Sequence, residues 1–399
     1  MAEVRVALWG TFDVDNYGDH LFPRVATHEL GRRGLVVDVF SPFGRLHPTP
    51  LDGGQQVEPL GAWSPDRARE LAAAYQLVVV GGGELIHLND PLLAPVYDTT
   101  PDEMRRMAPS RWFVEGLGPE LEAGCPVVWH GVGVPWVPGD EEAGRLRAAL
   151  AHRPYVTVRD RYSAQRLADA GVEVAVEVVP DSALLVNRVL PPAALAVRLE
   201  ALRGAGGYPR AGTTPVLLQG CDLLQPHLDE VLTAVERWRV AQRTQDEVVA
   251  LVTGRCRGDA LFADGVEQAL GSRRVWRLPG GATVEDLAAA IAGGGVFVGS
   301  SLHGAITALA YGRPFVLLNL YGEAKLDGFA DITGLGGRVV HRAEEIPAAL
   351  EAAMADPAPA GLLDSLQRRL DRHFDRLAEL ASASVARSAL KKPSPAGPQ

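Results

Sequence analysis

The residues best suited to chemistry lie in the segment VFVGSSLHGAITALAYGRPFVLL, which runs from Val296 to Leu318. A β-branched run ends in a serine-rich turn that carries His303, and a helix is predicted to open at Gly304. Serine is a good N-cap, and the unpaired N–H groups of a helix N-terminus attract anions. An imidazole beside an anion can transfer protons near neutral pH. The segment therefore predicts an active site for a phosphorylated or carboxylated substrate; the alternative is a histidine buried behind a βα turn.

Two glycine-containing loops follow other predicted strands. The loop GTFDVDNYGDHLFP supplies an amide at Asn16, a flexible backbone at Gly18 and a carboxylate at Asp19, which could also be only a helix N-cap. The turn Gly81–Gly83 precedes Glu84 and permits close approach of a ligand or of another loop. Neither loop matches G-x-G-x-x-G, so a dinucleotide site has no support.

Charged residues follow further strands. Arg159 could bind phosphate or carboxylate with its two parallel N–H groups, or pair on the surface with Asp160. Asp181 could orient a ligand hydroxyl or cap a turn, and Lys325 could place a point charge near a phosphate. Because all these residues come just after predicted parallel strands, we expect them to meet at one edge of the fold, facing a cleft.

The elements that position these residues alternate between short apolar strands and helices, which predicts an α/β fold of two doubly wound domains. The Gly- and Pro-rich segment Gly204–Pro215 is the expected linker. We predict an N-terminal Rossmann-like domain over residues 1–200, a C-terminal one over 213–345, closing helices over 346–388 that pack back across the hinge, and a disordered tail over 389–399. The predicted strands are Val4–Trp9, Leu35–Phe40, Leu77–Val80, Pro126–His130, Tyr155–Val158, Val174–Val179, Val216–Gln219, Val248–Val252, Arg274–Trp276, Val296–Val298, Phe315–Asn319 and Arg338–Val340.

Composition narrows the function classes. The 399 residues carry a net charge of −10, which argues against nucleic-acid binding. The three cysteines are far apart and predict neither a disulfide framework nor a metal site. No leader-like segment or apolar run of membrane-spanning length is present, so we expect a cytoplasmic protein without a transmembrane segment. Composition does not indicate an oligomeric state.

Taken together, the segments resemble the polysaccharide pyruvyl transferase family, whose motifs occur in the same order from about Val4 to Leu335. The matching pieces are NYGDHLFP (Asn16–Pro23), VVVGGGELI (Val78–Ile86), VTVRDRYSAQRLADAGV (Val156–Val172), VVPDSALL (Val178–Leu185), FVGSSLHGAITALAYGRPFV (Phe297–Val316) and EAKLDGFADITGL (Glu323–Leu335).

The resemblance implies two facing Rossmann-like domains, as in GT-B glycosyltransferases. It also implies a transferase of polysaccharide biosynthesis that moves pyruvate from phosphoenolpyruvate onto two hydroxyls of a sugar-containing acceptor, forming a ketal. Phosphoenolpyruvate would be a co-substrate, and no cofactor or metal is expected. His303 matches the family's catalytic histidine, expected here as general acid/base. Arg159 and Lys325 match further family residues. The donor-binding residues expected in this chain are Arg159, Ser300, Ser301, Leu302, Gly304 and Lys325; the expected acceptor-binding residues are Asn16, Gly18, Asp19, Gly82, Gly83, Glu84, His130 and Asp181.

One position departs from the family pattern. Many members carry arginine two residues before the histidine, where this chain has Ser301. Two other functions therefore stay open at the level of sequence: a GT-B glycosyltransferase that uses a nucleotide sugar, and a non-catalytic sugar- or anion-binding protein of the same fold.

Overall fold

The computed structural model describes residues 3–44, 56–242, 247–271 and 274–390, and the predicted tail lies outside the described residues from position 391 onward. Two parallel β-sheets carry helices on both faces, and each sheet is built from alternating strands and helices. The predicted fold class is therefore confirmed.

The first sheet contains seven parallel strands in the order β3-β2-β1-β4-β5-β6-β7. Its central strands are buried on both faces, which explains their continuous runs of valine. Its strands are β1 (Val4–Trp9), β2 (Leu35–Ser41), β3 (Glu58–Pro59), β4 (Leu77–Gly81), β5 (Val127–Val132), β6 (Val156–Val158) and β7 (Val176–Val178). The helices of this part of the chain are α1 (Tyr17–Gly31), α2 (Pro65–Ala74), α3 (Pro101–Met107), α4 (Pro119–Glu122), α5 (Asp140–Leu150), α6 (Arg161–Asp169), α7 (Val186–Val189) and α8 (Pro192–Gly204).

The second sheet contains six parallel strands in the order β10-β9-β8-β11-β12-β13. Its strands are β8 (Val216–Gln219), β9 (Val248–Ala250), β10 (Val275–Arg277), β11 (Val296–Gly299), β12 (Phe315–Leu318) and β13 (Val339–Val340). Its helices are α9 (Leu228–Ala241), α10 (Asp259–Leu270), α11 (Val284–Gly293), α12 (Leu302–Ala310), α13 (Ala324–Thr333) and α14 (Ile346–Ala355), followed by the long α15 (Leu362–Leu390).

Each sheet has a switch point, where the strand order reverses. The first lies between β1 and β4, and the second lies between β8 and β11. In open α/β sheets, the crevice beyond the carboxyl ends of the strands at this point is where ligands bind. The loop that follows β1 and the turn that follows β11 are thus the expected positions for a site.

The two sheets are joined through α1. The Tyr17 N–H donates to the Thr253 carbonyl at 2.7 Å, and the Tyr17 hydroxyl lies 3.0 Å from the Thr307 hydroxyl. Arg24 Nη1 lies 2.5 Å from Glu285 Oε1. One continuous apolar cluster includes residues of both sheets and of α15. The two halves therefore share one packed apolar core.

Helix α15 returns from the second sheet to the first, as the predicted closing helices do. Arg33 Nε lies 2.8 Å from Asp375 Oδ1, and Arg188 Nη1 lies 2.6 Å from Asp371 Oδ1. Helix α8, which the sequence analysis placed at the end of the first domain, instead packs against α11 beside the second sheet. No single described helix has the length and apolar character of a membrane span; the bent pair Ser182–Val189 and Pro192–Gly204 meets that test jointly, by length and composition.

Candidate active site

His303 is the second residue of α12, directly after the short turn that follows β11. Ser301 is the N-cap of α12, and its hydroxyl accepts a hydrogen bond from the Gly304 N–H at 3.2 Å. The N–H groups of Leu302 and His303 have no acceptor in the described part of the chain. The predicted N-cap is thus present, and it leaves two backbone donors at a helix N-terminus available to an anion.

The imidazole of His303 is held from three sides. Its ring meets the ring of Phe22 edge-on, with centroids 5.0 Å apart, and its Nε2 lies 3.6 Å from Asp181 Oδ2. On the third side is the backbone of Gly18, where a Cβ would lie only 2.5 Å from the imidazole Cγ. Only glycine at position 18 therefore leaves the ring its place, and 14 % of the side chain stays exposed.

Asp181 faces the imidazole of His303 but does not itself line the cleft. Its Oδ1 accepts a hydrogen bond from the Ala183 N–H at 3.0 Å, so it also caps a turn, as one prediction had it. Burial raises the pKa of Asp181, but the nearby His303 and the charge of Arg159 outweigh burial and leave the pKa below its ordinary value. An ionised carboxylate therefore faces the imidazole.

Arg159 lies at the carboxyl end of β6 and is 5 % exposed. Its guanidinium lies within 4 Å of three carboxylates: Glu84 at 3.5 Å, Asp160 at 3.7 Å and Asp181 at 3.9 Å. Neither its Nε nor its Nη2 has a hydrogen-bond partner. Both predicted roles thus have a basis here, because the side chain lines the cleft and also pairs with Asp160.

Lys325 and Glu84 connect the two halves across the cleft. Lys325, in the first turn of α13, places its Nζ 2.9 Å from Glu84 Oε2 and 3.3 Å from Glu323 Oε1. Burial opposes ionisation of Glu84, but Lys325 and Arg159 together lower its pKa to about 2. Glu84 is therefore a fixed negative charge between two cations.

The loop after β1 forms the opposite wall. Asn16, rather than Asp19, is the N-cap of α1, since its side chain accepts from the Gly18 N–H at 2.9 Å. Asp19 Oδ1 accepts a hydrogen bond from the Thr11 hydroxyl at 3.1 Å, and burial raises the pKa of Asp19. Gly83 adopts a φ of +77°, which brings the turn after β4 beside this carboxylate.

These side chains enclose a cavity of about 170 Å³ between the two switch points. Its lining joins most of the predicted residues from both sheets, namely Asn16, Asp19, Gly83, Glu84, Arg159, Ser300, Ser301, Leu302, His303 and Lys325. The second sheet contributes the imidazole, the helix amides and Lys325, and the first sheet contributes Arg159 and the carboxylates of Asp19 and Glu84. These groups together can bind an anion and move a proton to or from it.

Other predicted residues act from behind the lining or lie elsewhere. Gly18 packs against His303, Gly82 has a φ of +86° and packs against Phe22, and the Gly304 N–H is used by the Ser301 cap. These glycines shape the site because there is no room for a side chain, and none of the three lines the cavity. In the described part of the chain, no three or more His, Cys, Asp or Glu residues converge as metal ligands.

His130 does not reach the cavity, contrary to the expectation that it binds an acceptor. Its Nδ1 lies 2.6 Å from His373 Nε2 of α15, and its Nε2 lies 3.2 Å from the Ser182 hydroxyl. Burial lowers the pKa of His130 to about 4. The ring is a neutral packing group beneath the sheet, since α15 covers the face of β5 to which it points.

The cleft residues to which the sequence analysis gave no role include His87, Gln219 and Arg257. His87 is 6 % exposed, and its Nδ1 has no partner. Gln219 is the last residue of β8, and Arg257 lies in the loop between β9 and α10. Their position at the carboxyl ends of two parallel strands is the signal that could have found both.

Comparison with known families agrees with this geometry. The family model described as polysaccharide pyruvyl transferase matches residues 16–320, from the N-cap of α1 to the second residue after β12. The chain belongs to the polysaccharide pyruvyl transferase family. Membership implies a transferase and a sugar-containing acceptor. No curated protein matches the sequence significantly.

Solved structures similar to this family member are two-domain GT-B-like proteins. UDP-N-acetylglucosamine 2-epimerase from Rickettsia bellii is 12 % identical, with a TM-score of 0.53 over 98 % of this chain and 96 % of that one. The UDP co-structure of MnaA from S. aureus is 10 % identical, with a TM-score of 0.52 over 94 % and 97 % of the two chains. At such identities the likeness establishes the shared fold alone.

Proposed function

We propose that this pyruvyl transferase family member uses phosphoenolpyruvate as donor and forms a pyruvate ketal on a sugar diol. The observation that carries the proposal is the meeting of His303, Arg159 and Lys325 at one cavity between the two switch points. The donor is an enol phosphate with a carboxylate beside it, so its site needs a proton donor and cations. No cofactor takes part in the proposed reaction. Since this donor arises in intracellular metabolism, we also propose a cytoplasmic location.

His303 is the proposed general acid/base. It donates a proton to the methylene carbon, and the adjacent carbon becomes cationic and is attacked by a hydroxyl oxygen of the acceptor. That hydroxyl proton returns to the imidazole. The bond to the phosphate oxygen then breaks, the second hydroxyl attacks the same carbon, and its proton leaves with the phosphate. Asp181, 3.6 Å from Nε2, stabilises the imidazolium form that starts the cycle.

The cations bind the donor and stabilise developing negative charge. Arg159 has an adjacent pair of N–H groups, on Nε and Nη2, that no atom of the described residues accepts, and such a pair matches the two oxygens of a carboxylate. Lys325 reaches the same cavity from α13. The wall formed by Asn16, Asp19 and the turn at Gly83 faces the acceptor, where carboxylate and amide groups suit sugar hydroxyls.

The test is phosphate release from phosphoenolpyruvate across a panel of sugar diols, together with thermal shifts. We expect phosphoenolpyruvate to raise the Tm, whereas UDP and GDP leave it unchanged, and we expect His303→Ala to lower turnover by roughly 10²- to 10⁴-fold. His341→Ala is the control, because that histidine lies at the surface beside Asp327. Stabilisation by UDP or GDP alone would favour nucleotide-sugar chemistry and overturn the proposal.

A further inference from the structure

The cations assigned to the donor are already largely neutralised. Arg159 lies near three carboxylates, and Lys325 lies near two. Phosphoenolpyruvate brings a carboxylate and a phosphate, so it adds further negative charge to a cavity that also holds Asp19. A cation without a carboxylate partner is needed to bind the phosphate.

Arg257 meets this requirement. It lines the same cavity, in the loop that follows β9. Within the described ranges its guanidinium makes no ion pair within 4 Å and no side-chain hydrogen bond, and the charges of Glu84, Asp19 and Glu323 act on it only from farther away. Its neighbour Arg255 differs, since its Nη1 lies 3.2 Å from Asp15 Oδ2. The two arginines of this loop therefore differ in their surroundings. Arg255 forms an ion pair, whereas Arg257 faces the cavity and forms none with the described residues.

The loop of Arg257 is locked to the start of α12 by a buried network. Asp259 Oδ2 accepts hydrogen bonds from the N–H groups of Thr253 and Gly254 at 2.8 and 2.9 Å, and from Gln219 Nε2 at 2.9 Å. Gln219 Oε1 in turn accepts from the Ser301 N–H at 2.7 Å. The turns after β8, β9 and β11 are therefore fixed relative to one another before any ligand binds.

This network holds two kinds of phosphate-binding group on one wall. The free N–H groups of Leu302 and His303 point from a helix N-terminus, where phosphate binds well. A guanidinium adds charge-assisted hydrogen bonds to phosphate oxygens. Arg159, whose Nε and Nη2 have no hydrogen-bond partner among the described residues, lines the same cavity from the first sheet.

We propose that Arg257 and the first amides of α12 bind the phosphate of the donor, an inference that rests on the proposed function. Arg257 then binds the leaving group and stabilises the negative charge of the phosphate as it departs. It also separates the two anionic ends of the donor, with the carboxylate at Arg159 and the phosphate at Arg257.

The experiment compares Arg257→Gln with Arg255→Gln, which removes the same charge from the same loop. We expect Arg257→Gln to raise the KM for phosphoenolpyruvate roughly 10- to 100-fold and to weaken competitive inhibition by inorganic phosphate in parallel. Inhibition by pyruvate, which has only the carboxylate, and the KM for the acceptor should stay within twofold of the wild type. Arg257→Lys, which keeps the charge, should recover part of the lost affinity for phosphate.

Two failures are distinguishable. A wild-type protein that neither binds phosphoenolpyruvate nor releases phosphate from it refutes the proposed function. A wild type that is active, with Arg257→Gln equal to Arg255→Gln or weakened towards pyruvate rather than phosphate, refutes the role of Arg257 alone. If Arg257→Gln melts well below the wild type, Arg257→Ala and Arg257→Lys are compared instead, at a temperature below that melting point. If both variants bind inorganic phosphate as tightly as the wild type does, the role of Arg257 is likewise refuted.

Discussion

A single methyl group added at Gly18 should inactivate the protein without unfolding it. Gly18 is the second residue of α1, and its Cβ, if present, would lie 2.5 Å from the Cγ of His303. Ordinary contact between such atoms is ~3.5 Å, so the imidazole must move by at least about 1 Å. It cannot move towards Phe22, whose ring already packs edge-on against it. The ring must therefore swing into the cavity.

A displacement of about 1 Å of a catalytic group costs on the order of 10²-fold in rate. We expect Gly18→Ala to lower kcat for phosphate release by that factor or more. Stability should change little, because alanine in a helix is favoured over glycine by about 1 kcal/mol, which offsets part of the repacking cost. The measurement is steady-state phosphate release together with thermal unfolding.

Gly31→Ala is the matched control, since it adds the same methyl group to the other end of the same helix, where no atom lies within 4 Å. It should keep wild-type kcat and melt at or slightly above the wild type. If Gly18→Ala is as active as Gly31→Ala, the imidazole has no fixed catalytic position, and the assignment of His303 as acid/base fails.

Three further outcomes are expected. Glu84→Gln removes the carboxylate 2.9 Å from Lys325 Nζ, so calorimetry should show inorganic phosphate binding about tenfold more tightly; an unchanged Kd contradicts the charge balance described for the cavity. Burial lowers the pKa of His130 from 6.5 to about 4, so its contribution to stability is complete above pH 6.5 and is lost as the pH falls towards 4. Between pH 7 and pH 5, the free energy of unfolding of His130→Phe should therefore fall by about 2 kcal/mol less than that of the wild type, as measured by urea titration. Equal decreases in the two proteins would exclude His130 as the titrating group. Ser301→Ala removes the cap of α12 and should cost ~1 kcal/mol of unfolding free energy, whereas Ser301→Asp should retain it.

The sequence predicts most clearly what short-range chemistry determines. The strand, turn and helix around His303 follow from a β-branched run, a glycine and a capping serine, all within a few residues. The helix begins at Leu302, two residues before its predicted start. The alternation of strands and helices likewise predicts two parallel sheets. It does not give the strand order, because the switch points depend on which strands become neighbours in space.

His130 shows why orientation within a strand is harder to predict. β5 is buried at all six positions, so it has no polar face that would mark which side chains turn towards a ligand. The direction of His130 is revealed only by His373, which lies 243 positions later in the chain. Arg257 was missed because the residues after β9 were not examined as strand-end residues, and its neighbours Arg255 and Cys256 offer no periodic pattern.

The apolar cluster that runs from β1 through α1 and α12 to α15 has a consequence for folding. Neither half of the chain can bury its share of this cluster alone, since the second half supplies α15 to the first sheet and the first half supplies α8 to the second. Heating should therefore melt the molecule in one cooperative transition, with calorimetric and van't Hoff enthalpies in agreement. Separately expressed halves should be found largely unfolded, and they should regain native circular dichroism only when mixed.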